Sequence, residues 1–238
     1  MDLSVVIPVF NEADSIRALT DEICAVLGDE LDFEIIVIDD GCTDSTSAVL
    51  VDCQRTHPHL RVLRHNACYG QSAAIGSGVR AARYHWIVTL DGDGQNDPAD
   101  IMRLFRAMDK TTDRVLLVAG QRLSRCDTGL KRLSSRIANM VRGWVLDDNT
   151  PDSGCGIKLF ARDVYLSLPQ FDHMHRFLPA LVQRQGGEVI SVVVNHRERL
   201  GGISKYGVMD RLWIGIIDMF GVWWLKRRSS MPTVSEID

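Results

Sequence analysis

Short apolar runs alternate along the first half of the chain with segments whose apolar residues recur every three or four positions. Such runs are typical of buried strands, and such spacing is typical of helices that bury one face. The pattern predicts strands at 3–10, 33–38, 60–64, 86–90 and 114–119, and helices at 11–28, 45–56, 70–84 and 98–108. Strands that alternate with single helices imply an α/β fold, with a mostly parallel sheet and helices on both of its faces.

The alternation becomes less regular after residue 120. Here the pattern predicts a helix at 130–146, a tight turn at 151–156, helical structure at 174–185 and a strand at 188–194. A basic, glycine-containing loop follows at 197–206. The second half is therefore not a simple continuation of the strand–helix repeat.

Acidic residues follow three of the predicted strands. Glu12 comes after the first strand, Asp39 and Asp40 end the second, and Asp91 and Asp93 follow the fourth. In open parallel sheets the ligand lies beyond the carboxyl ends of the strands. We therefore expect these acidic side chains to converge on one ligand site.

The pair Asp91 and Asp93, separated by one glycine, is the strongest indication of chemistry. Two carboxylates so close together repel each other unless a cation or a proton offsets their charge. Oxygen ligands suit Mg²⁺ or Mn²⁺, which keep positions open for substrate phosphates. The alternative is a solvated turn rich in Asp and Asn. An EF-hand is excluded, because Asn96 and Met102 stand where that loop needs glycine and glutamate.

Composition and charge narrow the class of protein. The 238 residues are 45% hydrophobic and 24% charged, which is ordinary for a soluble globular protein. The net charge of −4 argues against bulk nucleic-acid binding. Residues 122–142 nevertheless hold six basic residues against one acidic, and residues 196–228 hold seven against three. Such local positive charge suits phosphates or an anionic membrane surface.

Cysteine usage and the N-terminus bear on the cellular compartment. The six cysteines are scattered, with no C-x-x-C pair, which favours a reduced, intracellular chain. The chain runs from Asp2 directly into a short apolar strand, so we expect no signal peptide.

The segment 212–225 is apolar, contains three tryptophans and is followed by the basic residues 226–228. As a helix, these residues would be about 21 Å long, short of the roughly 30 Å hydrocarbon core of a bilayer. We therefore predict a helix that lies in the membrane interface, with the basic residues on anionic headgroups. The alternative is a core helix docked on its own domain.

Six motifs occur in a fixed order over almost the whole chain. They are VVIPVFNE at 5–12, IDDGCTDST at 38–46, N-x-x-Y-G-Q at 66–71, LDGDGQNDP at 90–98, DSGCGIK at 152–158 and RLGGISKY at 199–206. Together they resemble family 2 glycosyltransferases of the GT-A fold. The closest resemblance is to the branch with dolichyl-phosphate mannosyltransferase and bacterial undecaprenyl-phosphate sugar transferases.

This resemblance implies roles for individual residues. The base and ribose of a nucleotide sugar would be held by Pro8, Phe10, Glu12, Asp39 and Asp40. A divalent ion, Mg²⁺ or Mn²⁺, would be held by Asp91, Asp93 and Gln95. The phosphates would be met by Arg122 and Arg132. A loop that closes over the donor diphosphate and the acceptor phosphate would contribute Arg199, Ser204 and Lys205. Asp152 would be a supporting carboxylate near the sugar or the acceptor, and its alternative is to cap the turn before Gly154. The residues expected to take part in catalysis are Asp93, Arg122, Asp152 and Lys205.

The resemblance also implies an activity. It predicts an inverting, metal-dependent transfer of a hexose, with mannose as the first choice, from a GDP- or UDP-sugar to polyprenyl phosphate. Such an acceptor is already ionised near neutral pH and needs no general base, whereas an alcohol acceptor needs one. The alternatives are a soluble family 2 enzyme that acts on a glycan hydroxyl and a non-catalytic nucleotide-sugar-binding module.

The resemblance further predicts the domains and partners. The catalytic domain would cover 1–205, with a nucleotide-sugar half at 1–120 and an acceptor half at 121–205. The segment 206–228 would be the helix for the membrane interface or a docked partner, and 229–238 a flexible tail. The expected partners are nucleotide sugar, polyprenyl phosphate, the cytoplasmic face of an anionic membrane and a transmembrane subunit, but no nucleic acid.

Overall fold

A seven-stranded sheet forms the centre of the protein in the computed structural model, which describes residues 2–28, 30–109, 114–123, 140–198 and 208–228. The strands are β1 (Asp2–Val9), β2 (Asp32–Asp39), β3 (Leu60–Arg64), β4 (Trp86–Thr89), β5 (Val115–Arg122), β6 (Lys158–Ala161) and β7 (Glu188–Val194). Their order across the sheet is β3-β2-β1-β4-β6-β5-β7. This continuous sheet spans both of the predicted halves.

The sheet is mostly parallel, as the sequence predicted. Neighbouring pairs are parallel between β1, β2, β3 and β4 and between β5 and β7, whereas β6 runs antiparallel to both β4 and β5. Lys158, the first residue of β6, lies opposite Thr89, the last residue of β4. The turn that precedes β6 therefore lies at the edge of the sheet where the parallel strands end.

Helices connect the strands. They are α1 (Ile16–Leu27), α2 (Thr46–Thr56), α3 (Gln71–Ala81), α4 (Asp100–Asp109), α5 (described over 140–146), α6 (Arg162–Ser167), α7 (Leu178–Arg184) and α8 (Val208–Arg227). The predicted helix at 130–146 is described only in its last part. The helical structure predicted at 174–185 consists of a 3₁₀ turn, Met174–Arg176, followed by α7. The short helix α6 was not predicted.

Both faces of the sheet are buried. Along β1, Val5 and Ile7 pack in one apolar cluster while Val6 packs in the other, and all three side chains are inaccessible to solvent. The helix α3 approaches the sheet closely at Gly78, where a β-carbon would come within 2.7 Å of Val6 and Ile38. These contacts fix the helix–sheet layers that hold the strand ends in place.

The last helix, α8, is buried on one side and exposed on the other. Val222 is 1% exposed and packs in the apolar cluster of the second sheet face, and the Leu225 carbonyl accepts a hydrogen bond of 2.9 Å from Arg184 Nε on α7. Ile217 and Trp224 are 68% and 55% exposed. The buried side of α8 agrees with the docked core helix that the sequence left as an alternative. Contact of the exposed side with the membrane interface stays a prediction. No helix within the described ranges is long and apolar enough to cross a membrane.

Candidate active site

The loops after β1, β2 and β4 are joined to one another at the carboxyl edge of the sheet. The Glu12 amide donates a hydrogen bond of 2.9 Å to Thr46 Oγ1 at the start of α2. Ser15 Oγ donates a hydrogen bond of 2.8 Å to the carbonyl of Gly92, the residue between Asp91 and Asp93. The strand order β2-β1-β4 places these three strand ends side by side, and their convergence on one ligand site stays a prediction.

Asp39 is buried, and protein groups bind both of its carboxylate oxygens. The Cys42 amide donates to Oδ1 at 2.8 Å, and Ser47 Oγ donates to Oδ2 at 2.6 Å. Burial alone would raise the pKa of Asp39, but these hydrogen bonds outweigh it and the pKa lies below its ordinary value. Asp39 is therefore a charged group that shapes the turn between β2 and α2. Pro8, Phe10 and Glu12 lie beside it at the half-buried end of β1.

Asp40 organises the loop before α3. Its Oδ1 lies 2.7 Å from His65 Nδ1 and accepts a hydrogen bond of 3.0 Å from the Tyr69 amide. Its Oδ2 accepts one of 2.7 Å from the amide of Gly70, whose φ of 89° suits glycine. This explains the motif at 66–71 physically, because the buried carboxylate holds the turn that places Gln71 at the start of α3.

The Asp91 and Asp93 carboxylates lie close to each other after the end of β4, where the charge of Asp93 acts on Asp91. Gln71 Nε2 donates to Asp91 Oδ1 at 2.8 Å, and the Gln95 amide donates to Asp93 Oδ1 at 3.1 Å. Gly156 lies directly against the Asp91 carboxyl group, since a β-carbon at position 156 would come within 2.5 Å of its carbon and of both oxygens. The pair is thus held in place by the loops around it.

The charges of this pair fit a divalent cation. Burial raises the pKa of Asp91, and the charge of Asp93 raises it further, against the opposing effect of Lys158 and Arg122. Among the described residues, no cluster of three or more His, Cys, Asp or Glu side chains could hold a metal. Two carboxylates with the amide of Gln95 nearby suit Mg²⁺ or Mn²⁺, which take further ligands from substrate phosphates and water.

Two of the residues predicted for catalysis form an ion pair with each other. Arg122, at the end of β5, donates from Nε to Asp152 Oδ2 at 2.7 Å and from Nη2 to Oδ1 at 2.9 Å. Their side chains are 13% and 6% exposed. The charge of Asp152 raises the pKa of Arg122, although burial opposes this effect. The carboxylate of Asp152 thus orients the arginine, and the backbone of Asp152 closes the turn by accepting from the Cys155 amide at 3.3 Å.

A cavity of about 240 Å³ opens next to Asp91. Its wall residues come from α3, from the 154–158 turn and strand, and from the 175–178 turn, and they include Gln71, Gly156, Lys158, His175 and Arg176. Lys158 is 3% exposed, and its ammonium group donates to the Cys155 carbonyl. Burial lowers the pKa of Lys158, whereas Asp91 and Asp152 act in the opposite direction.

His175 contributes a neutral imidazole to the same cavity. Its amide donates to Ser72 Oγ at 3.2 Å, and its Nδ1 lies 2.7 Å from the same oxygen. Ser72 Oγ therefore holds both the backbone and the ring of His175 in place. Burial keeps the pKa of His175 well below its ordinary value, and nearby positive charge on Arg176 lowers it further.

Arg197 anchors the segment after β7 to residues 95–97, which follow Asp91 and Asp93. Its guanidinium binds Glu22 on α1 with two hydrogen bonds of 2.8 Å and lies 2.8 Å from Asp97 Oδ1. Its amide donates to the Gln95 carbonyl at 3.0 Å. The loop that the sequence assigned to the phosphates therefore begins at a fixed point beside Asp93.

Four predicted site residues lie outside the described residues: Arg132, Arg199, Ser204 and Lys205. The polar cavity residues to which the sequence analysis assigned no role include Gln71, Lys158 and His175. Gln71 and Lys158 were within recognised motifs, and a single lysine inside the apolar run 157–160 was a usable signal. No comparable signal marks His175, because its place depends on contacts between distant segments.

A mostly parallel sheet whose strand ends present an Asp-x-Asp pair is the architecture of nucleotide-sugar-dependent glycosyltransferases with the GT-A fold. Residues 4–168 match the family model described as glycosyl transferase family 2. The match covers more than half of the chain, and the chain belongs to this family.

Two relatives place the chain more narrowly within the family. It is 32% identical to dodecaprenyl-phosphate galacturonate synthase of Rhizobium johnstonii, over 98% of this chain and 69% of that protein. It is 33% identical to undecaprenyl-phosphate 4-deoxy-4-formamido-L-arabinose transferase of Edwardsiella ictaluri, over 87% of this chain and 63% of that protein. The chain thus spans about two thirds of the length of these relatives.

Solved structures support the fold. Glucosyl-3-phosphoglycerate synthase of Mycobacterium tuberculosis, crystallised with Mn²⁺, UDP and phosphoglyceric acid, superposes with a TM-score of 0.70 at 17% identity. The superposition covers 96% of this chain and 79% of that one. A mycobacterial protein of 23% identity superposes with a TM-score of 0.68, over 92% and 74% of the two chains. At these identities the likeness concerns the fold alone.

Proposed function

We propose that the protein is an inverting, metal-dependent glycosyltransferase that moves a sugar from a nucleoside diphosphate to a polyprenyl phosphate. The observation that carries this proposal is the placement of the Asp91–Asp93 pair and the cation Arg122 at one edge of the sheet, next to a cavity. Both named relatives use a polyprenyl phosphate acceptor by name, which supports the same acceptor class here.

The donor diphosphate would bind at the carboxyl ends of the strands. Asp91, Asp93 and Gln95 would hold a divalent cation, which when bound would neutralise charge on the departing diphosphate. Arg122, held by Asp152, would supply a fixed positive charge there. The bond between the sugar C1 and the β-phosphate oxygen breaks as an acceptor phosphate oxygen bonds to C1 from the opposite face, which inverts the configuration.

The cavity favours an acceptor that is already ionised. A hydroxyl acceptor would need a general base. Asp152 is engaged by Arg122 through both carboxylate oxygens, and His175 is hydrogen-bonded to Ser72 through Nδ1 and has a strongly lowered pKa. A lipid phosphate needs only cations that offset the repulsion between two phosphates. For this reason the glycan-hydroxyl alternative is the weaker one.

The remaining residue roles rest on the resemblance. The base and ribose would contact the surface formed by Pro8, Phe10 and Glu12, and Asp39 and Asp40 would hold the adjoining turns in shape. The acceptor phosphate would meet Arg132, Arg199, Ser204 and Lys205. The division into halves at residue 120, the tail at 229–238 and a transmembrane partner subunit stay predictions.

The protein would reach its lipid substrate as a peripheral protein on the cytoplasmic face of a membrane. The exposed side of α8 carries Ile217 and Trp224, and α5 adds Trp144, which is 85% exposed. The guanidinium of Arg227 stacks 4.3 Å above the Trp223 ring at the end of α8. Exposed aromatic groups beside cations suit the interface of an anionic bilayer.

The sugar cannot be taken from the family alone. The two relatives are named for galacturonate and for 4-deoxy-4-formamido-L-arabinose, whereas the sequence favoured mannose from GDP-mannose. Mannose, GDP and the dolichyl acceptor stay predictions.

The test is a transfer assay with radiolabelled nucleotide sugars, Mg²⁺ or Mn²⁺, and either undecaprenyl phosphate or undecaprenol. We expect lipid-linked sugar only with the phosphate. Asp93→Ala should abolish it, while Asp163→Ala, which alters an 81% exposed carboxylate on α6, should retain it. Labelling of undecaprenol or of a glycan, or full activity of Asp93→Ala, would overturn the proposal.

A further inference from the structure

The cavity beside Asp91 extends below the metal motif. Thr89, the last residue of β4, precedes Asp91 by two residues, and Lys158 lies opposite Thr89 in the antiparallel pair with β6. Lys158 therefore lines the cavity at the level of Thr89, and this part of the lining is its floor.

Lys158 is a buried cation that lacks a carboxylate partner among the residues that the structure describes. Its ammonium group has three protons to donate, and its described acceptor is the Cys155 carbonyl. Burying a charge is costly unless an opposite charge offsets it. The nearby Asp91 carboxylate is bound by Gln71 and faces the proposed cation site. An anion supplied by the substrate would complete the site.

The other walls suit a monosaccharide. The imidazole of His175 and the amide group of Gln71 are hydrogen-bonding groups for hydroxyls, and Ile75 and Leu178 add apolar surface. Arg176 adds a second positive charge to the lining. A volume of about 240 Å³ is below the roughly 300–1,000 Å³ of sites for drug-sized ligands. The cavity therefore fits one sugar unit rather than a whole nucleotide.

We propose that this cavity receives the transferred sugar and that Lys158 selects a sugar with a carboxylate, a hexuronic acid, by pairing with that group. The inference rests on the proposed function, because a diphosphate at Asp91 and Asp93 places its sugar in the adjoining cavity. The carboxylate of the sugar supplies the direct ion-pair partner that Lys158 lacks among the described residues.

The test compares nucleotide sugars that differ only in this carboxylate. Isothermal titration in Mn²⁺ would use UDP-glucuronate against UDP-glucose, UDP-galacturonate against UDP-galactose, GDP-mannuronate against GDP-mannose, and UDP and GDP alone. A charged hydrogen bond is worth enough to favour the uronate by about tenfold or more in Kd. In Lys158→Met the preference should fall below about threefold, with the affinity for UDP or GDP alone unchanged.

The outcomes separate the sugar inference from the proposed function. A wild-type protein that binds a neutral sugar nucleotide as tightly as its uronate overturns the inference and leaves the proposed function standing. A protein that binds no nucleotide sugar in Mn²⁺ overturns both. If Lys158→Met weakens the binding of UDP as much as the binding of the UDP-uronate, Lys158 contacts the diphosphate and the inference is wrong. The wild-type comparison decides the question even if Lys158→Met does not fold.

Discussion

Replacing Gly156 by alanine would test how closely the 154–156 turn must approach the metal motif. The added β-carbon would lie within 2.5 Å of three carboxyl atoms of Asp91, whereas real β-carbons essentially never come closer than 3.0 Å to a neighbour. Neither side can move freely. Gln71 holds Asp91 Oδ1, and the Gly156 carbonyl accepts a hydrogen bond of 2.7 Å from Thr89 Oγ1.

The size of the effect follows from this crowding. A displacement of about 1 Å is needed to restore an ordinary contact. Overpacking of this kind costs about 1–3 kcal/mol of the free energy of unfolding. Disturbing the orientation of a metal ligand costs about 10–100-fold in affinity. We therefore expect Gly156→Ala to fold with reduced stability and to bind UDP or GDP with Mn²⁺ about 10–100-fold more weakly.

The assay is isothermal titration of nucleoside diphosphate with Mn²⁺, together with urea unfolding of the same samples. Gly143→Ala in α5 is the matched control, because a β-carbon there meets nothing within 4 Å. This control should gain up to about 1 kcal/mol of stability from helix propensity. It should bind nucleotide normally. If Gly156→Ala keeps the wild-type Kd, the assignment of Asp91 to the cation site is refuted.

Three further predictions concern other parts of the protein. Arg122→Met should lose about 3–5 kcal/mol of stability by removing the guanidinium that binds both oxygens of the buried Asp152 carboxylate. The double variant Arg122→Met/Asp152→Leu should recover most of this lost stability but remain inactive. If urea unfolding instead shows that the losses of the two single substitutions add up, the two side chains are not a buried ion pair. Because burial lowers the pKa of His175 in the folded protein, the unfolded state binds more protons than the folded state below about pH 6.5. As the pH falls, the stability of the wild type should therefore decrease by up to about 1.4 kcal/mol per pH unit more than the stability of His175→Asn. Urea unfolding of both proteins at pH 7.5 and 5.5 measures this difference. An equal loss of stability in the wild type and in His175→Asn would contradict the prediction. The double variant Ile217→Glu/Trp224→Glu should no longer sediment with anionic vesicles. Its free energy of unfolding should change by less than about 1 kcal/mol in total, because both side chains are more than half exposed. Undiminished vesicle binding would rule out the proposed membrane surface.

Much of the nucleotide-binding half could be predicted because its sequence pattern is local. Buried strands such as β2 are continuous apolar runs, and the acids that follow them must lie at the strand ends, whatever the rest of the chain does. The positions of Asp39 and Asp91 at one edge therefore followed from the alternation of strands and helices. The hydrogen bonds of Asp39 and Asp40 within their own turns could not be foreseen from that pattern.

The cavity could not be predicted in the same way. Its floor exists because β6 runs antiparallel between β4 and β5, and nothing in the four residues of that strand specifies its direction. The position of His175 depends on Ser72, which is 103 residues away in the chain. The ion pair of Arg122 with Asp152 likewise joins two segments 30 residues apart. Arg122 and Asp152 were recognised as candidates, but their pairing depends on tertiary packing.

The most direct test of the central claim is Mn²⁺ binding followed by electron paramagnetic resonance, with and without nucleoside diphosphate. The account predicts tightly bound Mn²⁺ only when UDP or GDP is present. The bound signal should disappear in Asp93→Asn and persist in Asp163→Asn. Nucleoside diphosphate that binds equally well in the presence of EDTA, or an Asp93→Asn protein with an unchanged Mn²⁺ signal, would contradict it.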